Sequence, residues 1–94
     1  MYKAIVFAGT TEGYALCEFL AENRVSVYAC AATEYGGSLL QENEFLHVSA
    51  GRLKTEDMEE LFRKENPEIV LDATHPYAAE VTKNIRTACE SAGV

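Results

Sequence analysis

Ninety-four residues, 48% of them apolar, suffice for one small domain with its own core. A net charge of −7, with four Lys and four Arg that form no cluster larger than the Arg63-Lys64 pair, argues against a nucleic-acid surface, because phosphate binding needs clustered cations. No apolar run approaches the ~20 residues of a membrane helix and no signal peptide opens the chain, so a cytoplasmic protein with no membrane partner is expected.

Ala4-Ile5-Val6-Phe7-Ala8 is a continuous apolar run closed by Gly9, which predicts a buried parallel strand. Thr10 or Thr11 is placed to cap the next helix, with Glu12 in its first turn and Ala15, Leu16, Phe19 and Leu20 on one face. Asn23 is the predicted left-handed stop. Residues 25–31 are β-branched and partly alternating, a second strand that Thr33-Glu34-Tyr35-Gly36-Gly37 breaks. One or two helical turns are expected over 38–43 and a third strand over 45–49, ended by Ala50-Gly51-Arg52. Thr55 is the predicted cap of a helix in which Met58, Leu61 and Phe62 keep i, i+3, i+4 spacing. Its early acids, Glu56, Asp57, Glu59 and Glu60, read as a solvated face that complements the helix dipole. Asn66-Pro67 ends it, since proline disfavours helical geometry in the residue before it.

Residues 69–73 make a fourth strand, expected to be buried. A final helix over 76–92 puts Ala78, Val81, Ile85, Ala88 and Ala92 on one stripe, with Pro76 in the first turn and Gly93 just past the end. Cys17, Cys30 and Cys89 are odd in number, lack C-x-x-C spacing and fall in apolar elements, so buried free thiols and no metal site are expected.

Strands alternating with helices predict an α/β fold, a Rossmann-like open parallel sheet of about four strands with helices on both faces. Residues 1–94 form a single domain, which reads as cut from something larger. With strand order 3-2-1-4, strands 1 and 4 flank the topological switch point, and residues 9–12 and 74–77 share one crevice.

Each strand ends in a small or polar cluster, and packing alone does not require that. Gly9-Thr10-Thr11-Glu12-Gly13 is a glycine-bearing loop opening a helix, suited to a phosphate or an ordinary tight turn; it lacks the full G-x-G-x-x-G fingerprint. After the second strand, Thr33 stands where an acid would favour NAD, though Glu34 is one residue on. Arg52 is a candidate phosphate donor or a surface cation. In Asp72-Ala73-Thr74-His75-Pro76-Tyr77-Ala78, Asp72 needs hydrogen-bond partners or a shifted pKa, and His75 is a general acid or a positioning group.

Together these four segments resemble the precorrin-6A reductase family, with the D-A-T-H-P-Y-A stretch the most specific part. The chain departs from the family's pattern at Gly13-Tyr14, where many members carry Ala-Arg. The resemblance implies an oxidoreductase in which NADPH, or NADH in some members, reduces a corrin precursor of cobalamin biosynthesis. It implies two Rossmann-like domains, of which this chain is the N-terminal one, with a missing C-terminal domain as partner. By likeness, Gly9, Thr10, Thr11 and Glu12 line the nucleotide loop. Thr33, Tyr35 and Arg52 lie toward the adenosine end, and Thr74, His75 and Tyr77 face the nicotinamide and the macrocycle. The cofactor carries the hydride; His75, Tyr77 or solvent supplies the proton. The rival class is a non-enzymatic, flavodoxin-like nucleotide- or metabolite-binding module. A short-chain dehydrogenase would need Tyr-x-x-x-Lys, but Val81 stands four residues after Tyr77.

Overall fold

In a computed structural model, which describes residues 2–94, strand β1 (Ala4–Ala8) is buried along its whole length. It pairs in parallel with β2 (Val27–Ala31) on one side and β4 (Ile69–Ala73) on the other, and β3 (Leu46–Ala50) lies outside β2. The order is therefore β3-β2-β1-β4, the one in which strands 1 and 4 are neighbours.

Alternation along the strands builds two cores. Val6, Ala8, Val27, Ala29 and Leu46 pack with Cys17 and Ala21 of α1 (Thr11–Glu22) and with Leu40, beyond α2 (Glu34–Ser38). On the other face Ile5, Phe7 and Cys30 pack with Met58 and Phe62 of α3 (Thr55–Glu65) and Ile85 and Ala88 of α4 (Ala79–Ala92). The sheet grows one way from β1 to β3 and the other way to β4. Crossovers of constant hand then put the first two helices and the last two on opposite faces.

Several local expectations are corrected. Helix α1 does not bury the face holding Ala15 and Phe19; Phe19 is 60% exposed. It rests instead on Gly13, Cys17 and Ala21, small residues that bring the helix close to the sheet, with Leu16 and Leu20 flanking. Asn23 is not left-handed (φ −93°); its side chain donates to Phe19 O, and Arg24 (φ 62°) takes that conformation one residue later. Helix α2 begins before the expected 38–43, because Thr33 Oγ1 accepts the Gly36 N–H at 3.0 Å and caps it early.

Thr55 is the first residue of α3 rather than its cap. Lys54 is the extended cap residue, and the Asp57 carboxylate reaches back to its N–H at 2.9 Å. Helix α4 starts at Ala79, not Pro76, because residues 75–78 form a turn closed by Ala78 N–H to His75 O at 2.8 Å. Strand β4 is an edge of the sheet among the described residues and is partly open, Ile69 being 48% exposed. Gly93 (φ 76°) is left-handed just past α4, as its position predicts, and α3 ends at Asn66 before Pro67 as expected, with Asn66 taking the same left-handed conformation (φ 45°).

Candidate functional site

The loops after β1 and β4 meet at one carbonyl. Ala73 O accepts the Gly9 N–H at 3.2 Å and the Thr10 hydroxyl at 3.1 Å, while the same hydroxyl oxygen accepts the Gly13 N–H at 3.1 Å. Thr10 thus caps α1 and ties it to the neighbouring strand. Gly13 makes that closeness feasible, since a Cβ there would lie 3.0 Å from both Ala73 Cβ and Ala73 O. Thr11 and Glu12 follow on the exposed first turn, where helix amides have no intrahelical acceptor.

Asp72 organises the turn after β4. Its carboxylate accepts from Thr74 N at 3.0 Å, Thr74 Oγ1 at 2.5 Å and Thr82 Oγ1, on α4, at 2.6 Å. Partial burial pushes its pKa up, but the bonds from Thr74 and Thr82 outweigh this and hold it below the usual carboxylate range. It is more exposed than expected for a buried strand end, and Thr74 and Thr82 satisfy it. Beyond Thr74, His75 Nδ1 accepts the Tyr77 N–H at 3.1 Å, and the two rings lie 5.0 Å apart.

A cleft of about 760 Å³ opens over the strand ends, on the side of α3 and α4. Gly9, Arg52, Thr74 and His75 line it, so three of the four polar junctions contribute an expected residue. Gly51 (φ 124°) turns the chain after β3, and its N–H donates to Ala31 O at 2.8 Å. This folds Arg52, Leu53 and Lys54 inward across the end of β2.

Other expected residues lie outside the cleft lining. Thr10 is spent on its cap, Thr11 and Glu12 follow on α1, and Thr33 caps α2. Tyr35 and Tyr77 are 76% and 90% exposed, Tyr35 on α2 and Tyr77 on the rim beside His75. Lys54, Glu80 and Asn84 line the cleft without having been singled out, and Glu56, expected only on a solvated helix face, lines it as well. The available signal was weak: Glu80 and Asn84 are an i, i+4 polar pair on the helix after the fourth junction. Cys30 also faces the cleft, where burial, with the nearby Cys17 thiol adding to it, pushes its pKa up to about 12.

Residues 3–94 match the family described as precorrin-6x reductase CbiJ/CobK. The chain is 34% identical over 92 residues to a cobalt-precorrin-6A reductase of Methanothermobacter thermautotrophicus, covering 97% of this chain and 30% of that one. A second, from Salmonella typhimurium, is 36% identical over 90 residues, 96% of this chain and 34% of that one. The solved structure of a CobK precorrin-6A reductase superposes with a TM-score of 0.82 at 28% identity, covering all of this chain and 37% of that chain. The chain therefore spans about a third of the length of the relatives it matches.

Proposed function

The chain belongs to the precorrin-6x reductase family, and from that premise we propose that it forms the nucleotide-binding part of a corrin-precursor reductase in cobalamin biosynthesis. The substrate is precorrin-6A or its cobalt form, and one C=C or C=N unit of the macrocycle is reduced. Residues 1–94 act as one Rossmann-like domain, and a second domain supplies the opposite wall of the crevice. The short coverage of the relatives supports that division.

The observation that carries this reading is the cleft where the β1 and β4 loops adjoin. A Cβ built at Gly9 would make ordinary contacts with Thr74 Cα at 3.4 Å and His75 N at 3.6 Å, which shows how closely the two loops lie side by side. The start of α1 beside it offers amides to a pyrophosphate. A nicotinamide dinucleotide fits these features, and when bound it supplies the hydride. The protein's own share is to hold it: α1 amides at the phosphates, Arg52 and Lys54 toward the adenosine half, Thr74 and His75 toward the nicotinamide half.

NADPH is favoured over NADH because the end of β2 contributes Ala31 and Ala32 to the cleft while Glu34 is not among its lining residues. No carboxylate from that strand end then opposes a 2′-phosphate. Calorimetric titration of the chain with NADPH, NADH and FMN tests the reading. Binding of NADPH more tightly than NADH, and no binding of FMN, is expected; binding of FMN alone would overturn it in favour of a flavodoxin-like module.

A further inference from the structure

His75 lines the cleft, yet one of its two nitrogens is already engaged. A neutral imidazole donates through one nitrogen and accepts through the other. Nδ1 accepts the Tyr77 N–H at 3.1 Å, so in the neutral ring the proton sits on Nε2. The local sequence builds this arrangement. Pro76 has no N–H, so the first amide able to turn back on the imidazole is that of Tyr77. Ala78 N–H to His75 O, at 2.8 Å, closes the same turn, and the Tyr77 ring lies against the imidazole with centroids 5.0 Å apart.

We propose that the Tyr77 amide fixes His75 as an Nε2–H hydrogen-bond donor to an acceptor oxygen on the nicotinamide half of the bound nucleotide, and that His75 does not deliver the proton in the reduction. This rests on the nucleotide-binding reading above. A ring acting as general acid would carry a second proton on Nδ1, where it would meet the Tyr77 N–H, donor against donor. Releasing the Nε2 proton from a neutral ring would leave an imidazolate. Donation without transfer satisfies both nitrogens. The position fits the role, because His75 lines the cleft with Gly9, whose Cα side lies against Thr74 and the His75 backbone just before the start of α1.

Two measurements on the chain test this. Long-range ¹H–¹⁵N NMR of the His75 imidazole reads the tautomer without any ligand, and an Nε2–H ring with unprotonated Nδ1 is expected. Titration with NADPH then compares His75→Gln, whose amide can donate from the Nε2 position but cannot act as an acid, with His75→Leu. The glutamine variant should bind within about twofold of the parent and the leucine variant roughly fivefold more weakly, the typical worth of one net hydrogen bond. Affinity for 2′,5′-ADP, which lacks the nicotinamide half, should not change in either. An Nδ1–H tautomer, a glutamine variant as weak as leucine, unchanged NADPH affinity in the leucine variant, or equal loss of 2′,5′-ADP binding would each overturn the proposal. Failure of the parent chain to bind NADPH would count against the nucleotide reading and so against the donor role, while the NMR result would still decide the tautomer.

Discussion

Replacing Asp72 by alanine removes the acceptor of three hydrogen bonds at once, from Thr74 N, Thr74 Oγ1 and Thr82 Oγ1. In a dry interior each bond to an ionised carboxylate would contribute ~1.5–3 kcal/mol. Asp72 is exposed to water, and two of the three bonds lie within its own turn, so the sum is discounted to about 1–2 kcal/mol. For a chain of this size that is a fall in Tm of about 4–16 °C. The pH dependence separates lost charge from lost packing. The folded pKa lies below the unfolded value, so the carboxylate's contribution is complete above the unfolded pKa of about 3.9 and disappears as pH falls through the folded one. Thermal unfolding followed by far-ultraviolet circular dichroism should therefore show a constant gap between parent and Asp72→Ala from pH 7 to about 5, narrowing below about 4. A gap of the same size at pH 3 and pH 7 would refute the electrostatic account, and no gap at pH 7 would refute the role of the turn.

Thr10→Val removes both the α1 cap and the bond to Ala73 O and should cost about 1–2 kcal/mol in denaturant unfolding, whereas Thr10→Ser should keep most of it. Burial raises Cys17, with Glu18 adding to the effect, to about 11 and Cys30 to about 12; Cys89 is raised by a smaller burial. At pH 8 a thiol-specific chromogenic reagent should label Cys89 first and Cys17 and Cys30 only at the rate of opening of the fold, which peptide mapping of the labelled chain would show. Arg52→Ala should weaken NADPH binding roughly tenfold, as expected for one lost charge-assisted contact, while Thr33→Val should destabilise α2 but change that affinity less than twofold. Calorimetry of the two variants checks this, and the opposite ranking would move the adenosine end to the α2 side.

The framework was legible where the signal was one of contrast. β1 and β4 keep the bounds expected for them, β1 from an apolar run that ends abruptly at Gly9; alternation and crossover hand predict the parallel sheet but allow more than one strand order, and the structure selects β3-β2-β1-β4. Periodicity was less informative for α1, which offers two adjacent stripes. Hydrophobicity favours the one with Phe19, but closeness to the sheet favours the one with Gly13, Cys17 and Ala21, and the second prevails. α2 spans five residues, too few to show a period, and its start is set by a single side-chain bond from Gly36 N to Thr33. That Gly9, Arg52, Thr74 and His75 come together in one cleft was legible because all lie at the carboxyl ends of the strands, where such sheets bind ligands. Lys54 was not. Its place depends on the positive φ of Gly51 and the bond to Ala31 O, which fold the loop over β2.

The position of the cleft follows from how the helices leave the sheet. α1 packs on one face and α4 on the other, so the chains leaving β1 and β4 diverge just after the bonds to Ala73 O that stitch them together. Divergence makes an opening, and the stitch fixes its floor. On the α3 and α4 side the opening runs from His75 to the Arg52–Lys54 loop, and Thr33 and Tyr35 belong to α2 on the opposite face. Thr33 Oγ1 accepts the Gly36 N–H as the cap of α2, a bond that leaves its own O–H to donate, but its place is on the α2 side and not in the cleft lining. The cationic end of the cleft is therefore built by β3's loop rather than β2's. Its other end is braced by Asp72, whose carboxylate joins Thr74 to Thr82 of α4 at the base of the turn carrying His75.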